Sequence, residues 1–433
     1  MTKEISAKDC LRFEGESIPH ELMIKFCNSN CDYMVVGNSE NELAWYDYHA
    51  GVWNAGRFIG YAHLKDDATN ETYLISILPR FGKAFLDALI FETFNLQLVN
   101  SESSLSNSND WNQFTKYLLF IVWVWKVSSS NRYGLPRKTI KVLHTGNSIR
   151  GHLNIQKSIK TLISSSSVVS EYYEKDYNES ICKVLFYAYQ ILINSISNSK
   201  LPIILPCTIK DSINQLSHIF RNKRVAVSKS EYENIKYRAI DLSWKPAVDF
   251  SWQIINRQNN LLCERTDQSF GLFIDMADLW EQYLRKTLIK HLYNDGWVLS
   301  NNEISTYDNK FFKRKIIPDI VLKKENKFLI FDAKYKKMTG RKEDVDRSDF
   351  FQIHTYIQYF AENNNVLIGG LLYPISISEP DWEKFHANAL FGHKENNTKF
   401  IIDGICISID MNQKQIEENT LRFTERIRNL ILT

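Results

Sequence analysis

Between Lys315 and Lys337 the chain reads KIIPDIVLKKENKFLIFDAKYKK, two apolar segments with ionisable residues deep inside them. Asp319 sits in the first, after Pro318; Asp332 and Lys334 sit in the second. Side chains two apart on a strand share a face, so Asp332 and Lys334 project together while Phe331, Ala333 and Tyr335 face the other way. If the two strands pair as a hairpin through KKENK, Asp319 approaches Asp332. Close carboxylates repel each other, and no arginine stands obviously ready to neutralise this pair. A hard divalent cation relieves the repulsion, and carboxylate, carbonyl and water oxygens are the ligands Mg²⁺ prefers. The ammonium on the same face can orient a water nucleophile or stabilise charge on a phosphate in transfer. The competing reading is plainer: Asp319 as a turn residue after proline, and Asp332 and Lys334 as a solvated strand face.

The elements that must position these groups begin at about Leu262, where the order resembles α-β-β-β-α-β. DMADLWEQYLRKTLIKHLYND has helical spacing, with Asp275 as its N-cap. Strands are expected around Lys315–Leu322 and Lys327–Tyr335, then a helix over DRSDFFQIHTYIQYFAENN, strands at VLIGGLLYPIS and KFIIDGICISID, and an amphipathic helix over QKQIEENTLRFTERIRNLIL. To about Asn100 the chain reads as short strands, DYMVVGN, RFIGYAHL and TYLISILPRFG, separated by turn residues. SESSLSNSND, Ser101 to Asp110, suits a linker or exposed loop. WNQFTKYLLFIVWVWKVSSS, ESICKVLFYAYQILINSISNS and the basic stretch from Asp211 to Trp244 read as helices; SIRGHLNIQKSIK interrupts them with a turn and a possible strand.

The whole is expected to be a multi-domain α+β chain: a β-rich module over 1–110, a mainly helical domain over 111–262 and an α/β domain over 263–433. A length of 433 residues suits two or three domains, and a net charge of +3 makes any basic surface local. The seven cysteines show no CxxC pair and no Cys/His cluster, which argues against structural zinc and a disulfide framework and fits a reducing cytosol. MTKEISAKDCLRFEGE lacks the apolar centre of a secretory signal, and YLLFIVWVW is too short to span a bilayer, so a soluble cytoplasmic protein is expected.

PD followed by a hydrophobic strand ending in DAK resembles the PD-(D/E)xK nuclease superfamily. That family takes a further acidic residue from the preceding helix, where Glu281 in DLWEQYL fits, with Asp278 one turn earlier. RecB-like members carry Gln-x-x-x-Tyr on the following helix, matched by Gln352 and Tyr356 in QIHTY, which share a helix face. GLFIDMADLWEQYL, PDIVL, FDAKYK and DFFQIHTY together resemble the McrC family, the nuclease subunit of 5-methylcytosine restriction systems. Upstream, GRFIGYAHL with LISILPRFG is similar to that family's I-x-I-x-P-K stretch, with Arg80 where Lys is usual; IRGHLNI resembles its RGR turn, with His152 for the second Arg.

The resemblance implies a C-terminal restriction-endonuclease-like domain with a central mixed sheet that cuts double-stranded DNA. Mg²⁺, or Mn²⁺ in its place, would be held by Asp319, Asp332, the Ala333 carbonyl and Glu281. Lys334 would position the attacking water, and Gln352 and Tyr356 would support the site. It implies a McrB-like AAA+ GTPase hexamer as partner, docked by the N-terminal module and stimulated by it, with no membrane and no small-molecule cofactor. The chain has no Walker GxxxxGK[ST] loop and is not itself that motor. Two other readings stay open: a stand-alone nuclease in defence or repair, and a mainly non-catalytic GTPase-activating adaptor. His354 reads as a bystander and Asp349 as a helix-start charge near the site. The basic runs FFKRK (311–315) and KYKKMTGRK (334–342) would bind phosphates or form solvated loops. HIFRNKR (218–224) and HTGNSIRGHL (144–153) read more weakly as contacts to a partner or nucleic acid.

Overall fold

TYLISIL alternates in the way a half-buried strand must, and in the computed structural model it is strand β4, Thr72–Leu78, with Tyr73, Ile75 and Ile77 buried. The structure describes residues 3–14, 18–28, 33–36, 42–66, 69–94, 97–98, 108–196, 203–205, 207–256, 270–392 and 397–432. Met1–Val99 and Asp267–Thr433 form one compact unit, and Asn100–Thr266 a second.

In the first unit, β4 lies between β1 (Lys3–Lys8), parallel to it, and β3 (Phe58–Lys65), antiparallel. The next strand is not from the N-terminal segment. FGLFID forms β5 (Phe270–Asp275), which pairs antiparallel with β3 and parallel with β2 (Tyr33–Val36). The approach of β5 to β3 needs Gly60, whose φ is +151; a Cβ there would stand 1.9 Å from the Leu272 carbonyl oxygen. Phe273 then completes a core with Phe26, Phe58, Ile75 and Ile77, with Phe26 supplied by helix α1 (His20–Asn28). The sequence reading sets 1–110 and 263–433 apart as separate domains. The structure joins them, because residues 270–275 are a strand of the N-terminal sheet, and short apolar runs carry no label of the sheet they enter.

Asp275 caps helix α3 (Met276–Leu292) as expected, its Oδ1 accepting from Ala277 N–H at 2.9 Å. It also receives Arg57 at 2.7 Å, which fixes the helix start to the loop before β3. Helix α2 (Lys83–Phe94) packs on α3 through Phe85 and Trp280, ring centroids 5.8 Å apart.

The C-terminal segment builds a six-stranded mixed sheet. Its order is Val298–Leu299, β8 (Ile320–Lys324), β9 (Lys327–Ala333), β10 (Asn365–Ile375), β11 (Lys399–Cys406) and His386–Ala387. β8 and β9 are antiparallel, whereas β9, β10 and β11 run parallel. Strands buried on both faces read as unbroken apolar runs, which is why FLIF precedes Asp332. Phe328 and Ile330 pack with Ile353, Tyr356 and Ile357 of helix α4 (Arg347–Ala361). Two residues further on, the same face carries Asp332. Helix α5 (Gln413–Leu432) closes the chain, as its periodicity predicts.

One expected strand is divided. Lys315–Leu322 breaks at Ile317–Asp319, so that β7 (Arg314–Ile316) pairs with β6 (Ile304–Thr306) as a separate hairpin. Pro318 has no N–H for a ladder, and the chain leaves the sheet there.

The second unit is built on helices Ser108–Ser130, Glu179–Ile196, Cys207–Ile219 and Lys245–Asn256; Trp123 Nε1 donates to Ser251 Oγ at 2.9 Å in its core. It also holds a ten-residue antiparallel ladder, Arg137–Gly146 with Val168–Tyr177, which the short strand His152–Leu153 joins after the turn at Gly151, as expected, before a helix at Ile155–Ser165. The burial of Arg137–Gly146 alternates only between exposed and partly buried, so the strand has no apolar face to announce it. Most of SESSLSNSND and the boundary at 262/263 lie outside the described residues. Among the described residues no helix is long and apolar enough to cross a membrane; Leu118–Val124 is buried inside Ser108–Ser130. The five cysteines that are described are all free thiols.

Candidate active site

The β8–β9 hairpin turns through Glu325 and Asn326, with Lys324 opposite Lys327 and Ile320 opposite Phe331. That register places Asp319, one residue before β8, across from Asp332. Asp319 Oδ2 accepts the Ala333 N–H at 2.7 Å. Asp332 is 1% exposed, and its Oδ2 is ion-paired with the Lys334 ammonium at 2.6 Å. Lys334 follows the end of β9 and stays registered with β10 through its N–H to the Leu372 carbonyl at 2.9 Å. Its Nζ also donates to Gln352 Oε1 at 3.1 Å, and Gln352 Nε2 donates to Tyr356 Oη at 2.7 Å. Asp319, Asp332, Lys334, Gln352 and Tyr356 are therefore joined in one continuous set of contacts, with Ala333 at its centre.

Burial raises the Asp319 carboxyl to about 8, helped by the charges of Asp332 and Glu281 and opposed by the Ala333 N–H and Lys334. Burial raises Asp332 too, and Lys334 opposes it. For Lys334 burial acts downward, but Asp332, Asp349 and Asp319 outweigh it and leave the ammonium above its ordinary value.

Glu281 lies at the edge of this group. Its Oε1 accepts from Arg285 Nη2 at 2.9 Å, one turn along α3, and Arg285 reaches on to the Asp319 carbonyl. The sequence reading finds no obvious arginine to neutralise the Asp319–Asp332 pair, and Arg285 is not one: its charge pairs with Glu281, and it meets only the backbone carbonyl of Asp319. Among the described residues no three His, Cys, Asp or Glu side chains form a group that could hold a metal ion unaided. Two opposed carboxylates, the Asp332 charge raising the proton affinity of Asp319, still suit a hard cation completed by a backbone carbonyl and water.

Asp349, read from sequence as a helix-start charge, is 7% exposed and stands between two lysines: Lys336 Nζ at 2.6 Å and Lys334 Nζ at 3.5 Å. Its spacing of three from Gln352 on α4 is the signal that could have found it. His354 packs among Phe350, Phe391 and Phe400 with its Nδ1 at the Phe350 carbonyl, away from the set of contacts. Arg80, from LPRFG, reaches the motif directly. Its Nη2 donates to the Tyr335 carbonyl at 3.1 Å, its backbone N–H donates to Asp9 Oδ1 at 2.6 Å, and its Nε is 3.4 Å from Asp9 Oδ2.

No curated protein matches the chain. Among solved structures it is similar to a chain of the half-complex from the tetradecameric assembly of Thermococcus gammatolerans McrB AAA+ hexamers with bound McrC: 14% identity, TM-score 0.44, 89% of this chain and 86% of that one covered. A second is the cryo-EM structure of the Thermococcus gammatolerans McrBC complex, at 12% identity and TM-score 0.31, with 67% of this chain and 88% of that one covered. The family model described as "McrBC 5-methylcytosine restriction system component" matches residues 54–374, a span that holds Arg80, Glu281, the β8–β9 hairpin and α4, and the chain belongs to that family.

Proposed function

We infer that this chain is the DNA-cutting subunit of an McrBC-type restriction system, a Mg²⁺-dependent endodeoxyribonuclease working with a McrB-like AAA+ GTPase hexamer. The observation that carries the reading is the opposition of Asp319 and Asp332 across the β8–β9 ladder, with the Lys334 ammonium on the same face. Asp319, Asp332 and the Ala333 carbonyl would hold the cation, with Glu281 reached through water. The bound cation would supply Lewis-acid stabilisation of charge on the phosphodiester.

The chain's own residues do the rest. Lys334 stays charged among three carboxylates, and so acts as a hydrogen-bond donor and counter-charge toward the scissile phosphate and the attacking water. Gln352 accepts from Lys334 and donates to Tyr356, which fixes the direction of the ammonium. Asp349 holds Lys334 from the other side. The exposed Lys337, Arg341 and Lys342 beyond the site can take backbone phosphates without reading sequence. The lack of a Walker GxxxxGK[ST] loop in the sequence supports leaving nucleotide hydrolysis to the McrB-like partner.

The test is cleavage of 5-methylcytosine duplex by the full chain with a McrB-type GTPase, GTP and Mg²⁺. Asp332→Ala and Lys334→Ala should each lose about 10²–10³-fold in rate or more, the scale for removing a charge-stabilising group, while still raising GTP turnover by the motor. Undiminished cutting by either purified variant would end the reading.

A further inference from the structure

Phe311 is 99% exposed, yet it is anchored to the candidate site through a short rigid hairpin. β6 and β7 pair through Ile304–Ile316, Ser305–Lys315 and Thr306–Arg314, with Thr306 Oγ1 donating to the Arg314 carbonyl at 3.0 Å. Ile304 and Ile316 at the base pack against the core that contains Ile353, Tyr356 and Ile357. Asn302 Nδ2 donates to the Pro318 carbonyl at 2.9 Å, tying the two ends together beside Asp319.

The tip is tightly turned. Tyr307 and Asn309 adopt φ of +55 and +67, a region a tyrosine enters only under constraint. Phe311 and Phe312 meet edge to face at 5.0 Å, and Tyr307 and Phe312 at 5.1 Å, so three rings brace one another; Tyr307 is 65% exposed. Lys310 on one side and Lys313, Arg314 and Lys315 on the other flank the Phe311–Phe312 pair, against the single acid Asp308 between Tyr307 and Lys315. Lys313 pairs with Asp308 at 2.6 Å and Lys315 with Glu303, both in exposed bridges that exchange readily. Among the described residues neither Lys310 nor Arg314 is paired with a carboxylate.

A protein-docking tip would gather its apolar groups into a patch with few charges at the centre. Rings flanked by four cations, two of which (Lys310 and Arg314) have no carboxylate partner among the described residues, match a polyanion with apolar faces between its charges, which is nucleic acid. We propose that the 307–315 hairpin is a duplex-DNA wedge, in which the Phe311 ring enters a base step while Lys310 and Arg314 hold the flanking phosphates. This rests on the nuclease reading above and adds a duplex-distorting element to it. Eight residues of fully extended chain span at most about 28 Å, so the wedged step lies within about eight base pairs of the cut at 3.4 Å per step.

The test uses the full-length chain carrying Lys334→Ala, so that bound DNA survives, and duplexes with 2-aminopurine placed at successive steps. Fluorescence should rise several-fold at one step or two adjacent ones, within eight base pairs of the position that wild-type protein cuts with its motor. Adding Phe311→Ala should abolish the rise, Phe311→Trp should keep it, and affinity should fall less than tenfold because the phosphate contacts remain. An unchanged melting temperature will show that the exposed position leaves the fold alone. No duplex binding, a flat signal from bound duplex, or a rise that survives Phe311→Ala overturns the wedge. So does a Phe311→Ala effect confined to association with the GTPase. Wild-type protein that cuts without unstacking retires the wedge alone; one that unstacks and never cuts retires the nuclease reading.

Discussion

Arg80 lies over the ring of Tyr335, its guanidinium 4.5 Å from the ring centroid, while donating to the carbonyl of the same residue. Tyr335 is the residue after Lys334. LPRFG is therefore an anchor for the end of the motif strand, although 255 residues separate the two positions.

Arg80→Ala should cost about 3–5 kcal/mol, the range for breaking one side of a buried ion pair, because Asp9 is 0% exposed and would lose the guanidinium that offsets its burial, keeping only hydrogen bonds such as that from the backbone N–H of residue 80. Arg80→Lys keeps a charge for Asp9 but loses the planar stacking, and should cost about 1 kcal/mol. Chemical denaturation measures both. Cleavage should fall in the same order, since the Tyr335 backbone is the immediate support of Lys334.

Asp9 also sets a pH dependence. Burial raises its carboxyl to about 6, with Arg80 opposing. A raised carboxyl binds its proton more tightly in the folded state, so its contribution to stability is full below about pH 4 and is lost as pH rises through about 6. Two units amount to about 3 kcal/mol. Asp9→Asn removes the titration, so its melting temperature should gain on wild type between pH 4 and pH 6.5. A constant difference across that window would show that Asp9 does not titrate there.

How much of this was legible depended on whether a local pattern carried the information. The β8–β9 hairpin, α3 with its Asp275 cap, α4 and α5 are local, and each occupies the expected stretch within a few residues. The opposition of Asp319 and Asp332 followed from hairpin register. β5 was not legible as part of the N-terminal sheet, because it pairs with strands more than 200 residues away. Arg285 and Asp349 were hidden for another reason. Charges on exposed helix turns are ordinary, and only tertiary placement turns these two toward Asp319 and Lys334.

Asp349→Asn tests the second of them. The variant keeps the shape but frees Lys334 and Lys336 of a shared carboxylate. Cleavage should drop about 10–100-fold, the usual loss when a residue that orients a working group is removed. Duplex affinity should hold or rise, because two cations are released toward phosphate. Loss of affinity with unchanged turnover would instead make Asp349 part of the DNA surface.

Glu281 and Arg285 pose the last question, whether Glu281 serves the cation or only the arginine. Its carboxylate accepts from Arg285, and Arg285 also grips the Asp319 carbonyl, so a purely positioning role runs through Arg285. Such a role makes the pair non-additive: Glu281→Gln, Arg285→Gln and the double variant should lose similar activity, with a coupling energy of about 1–3 kcal/mol. A role toward the cation through water adds a further loss specific to Glu281. Glu281→Gln should then be slower than Arg285→Gln, and raising Mg²⁺ should recover part of its rate. Burial raises the Glu281 carboxyl, Arg285 opposes that, and the Asp278, Asp332 and Asp275 charges add to it, so Glu281 faces both the arginine and the acidic group. Cleavage rates of the three variants over a Mg²⁺ titration decide between the two roles, and equal losses insensitive to Mg²⁺ would remove Glu281 from the cation's surroundings.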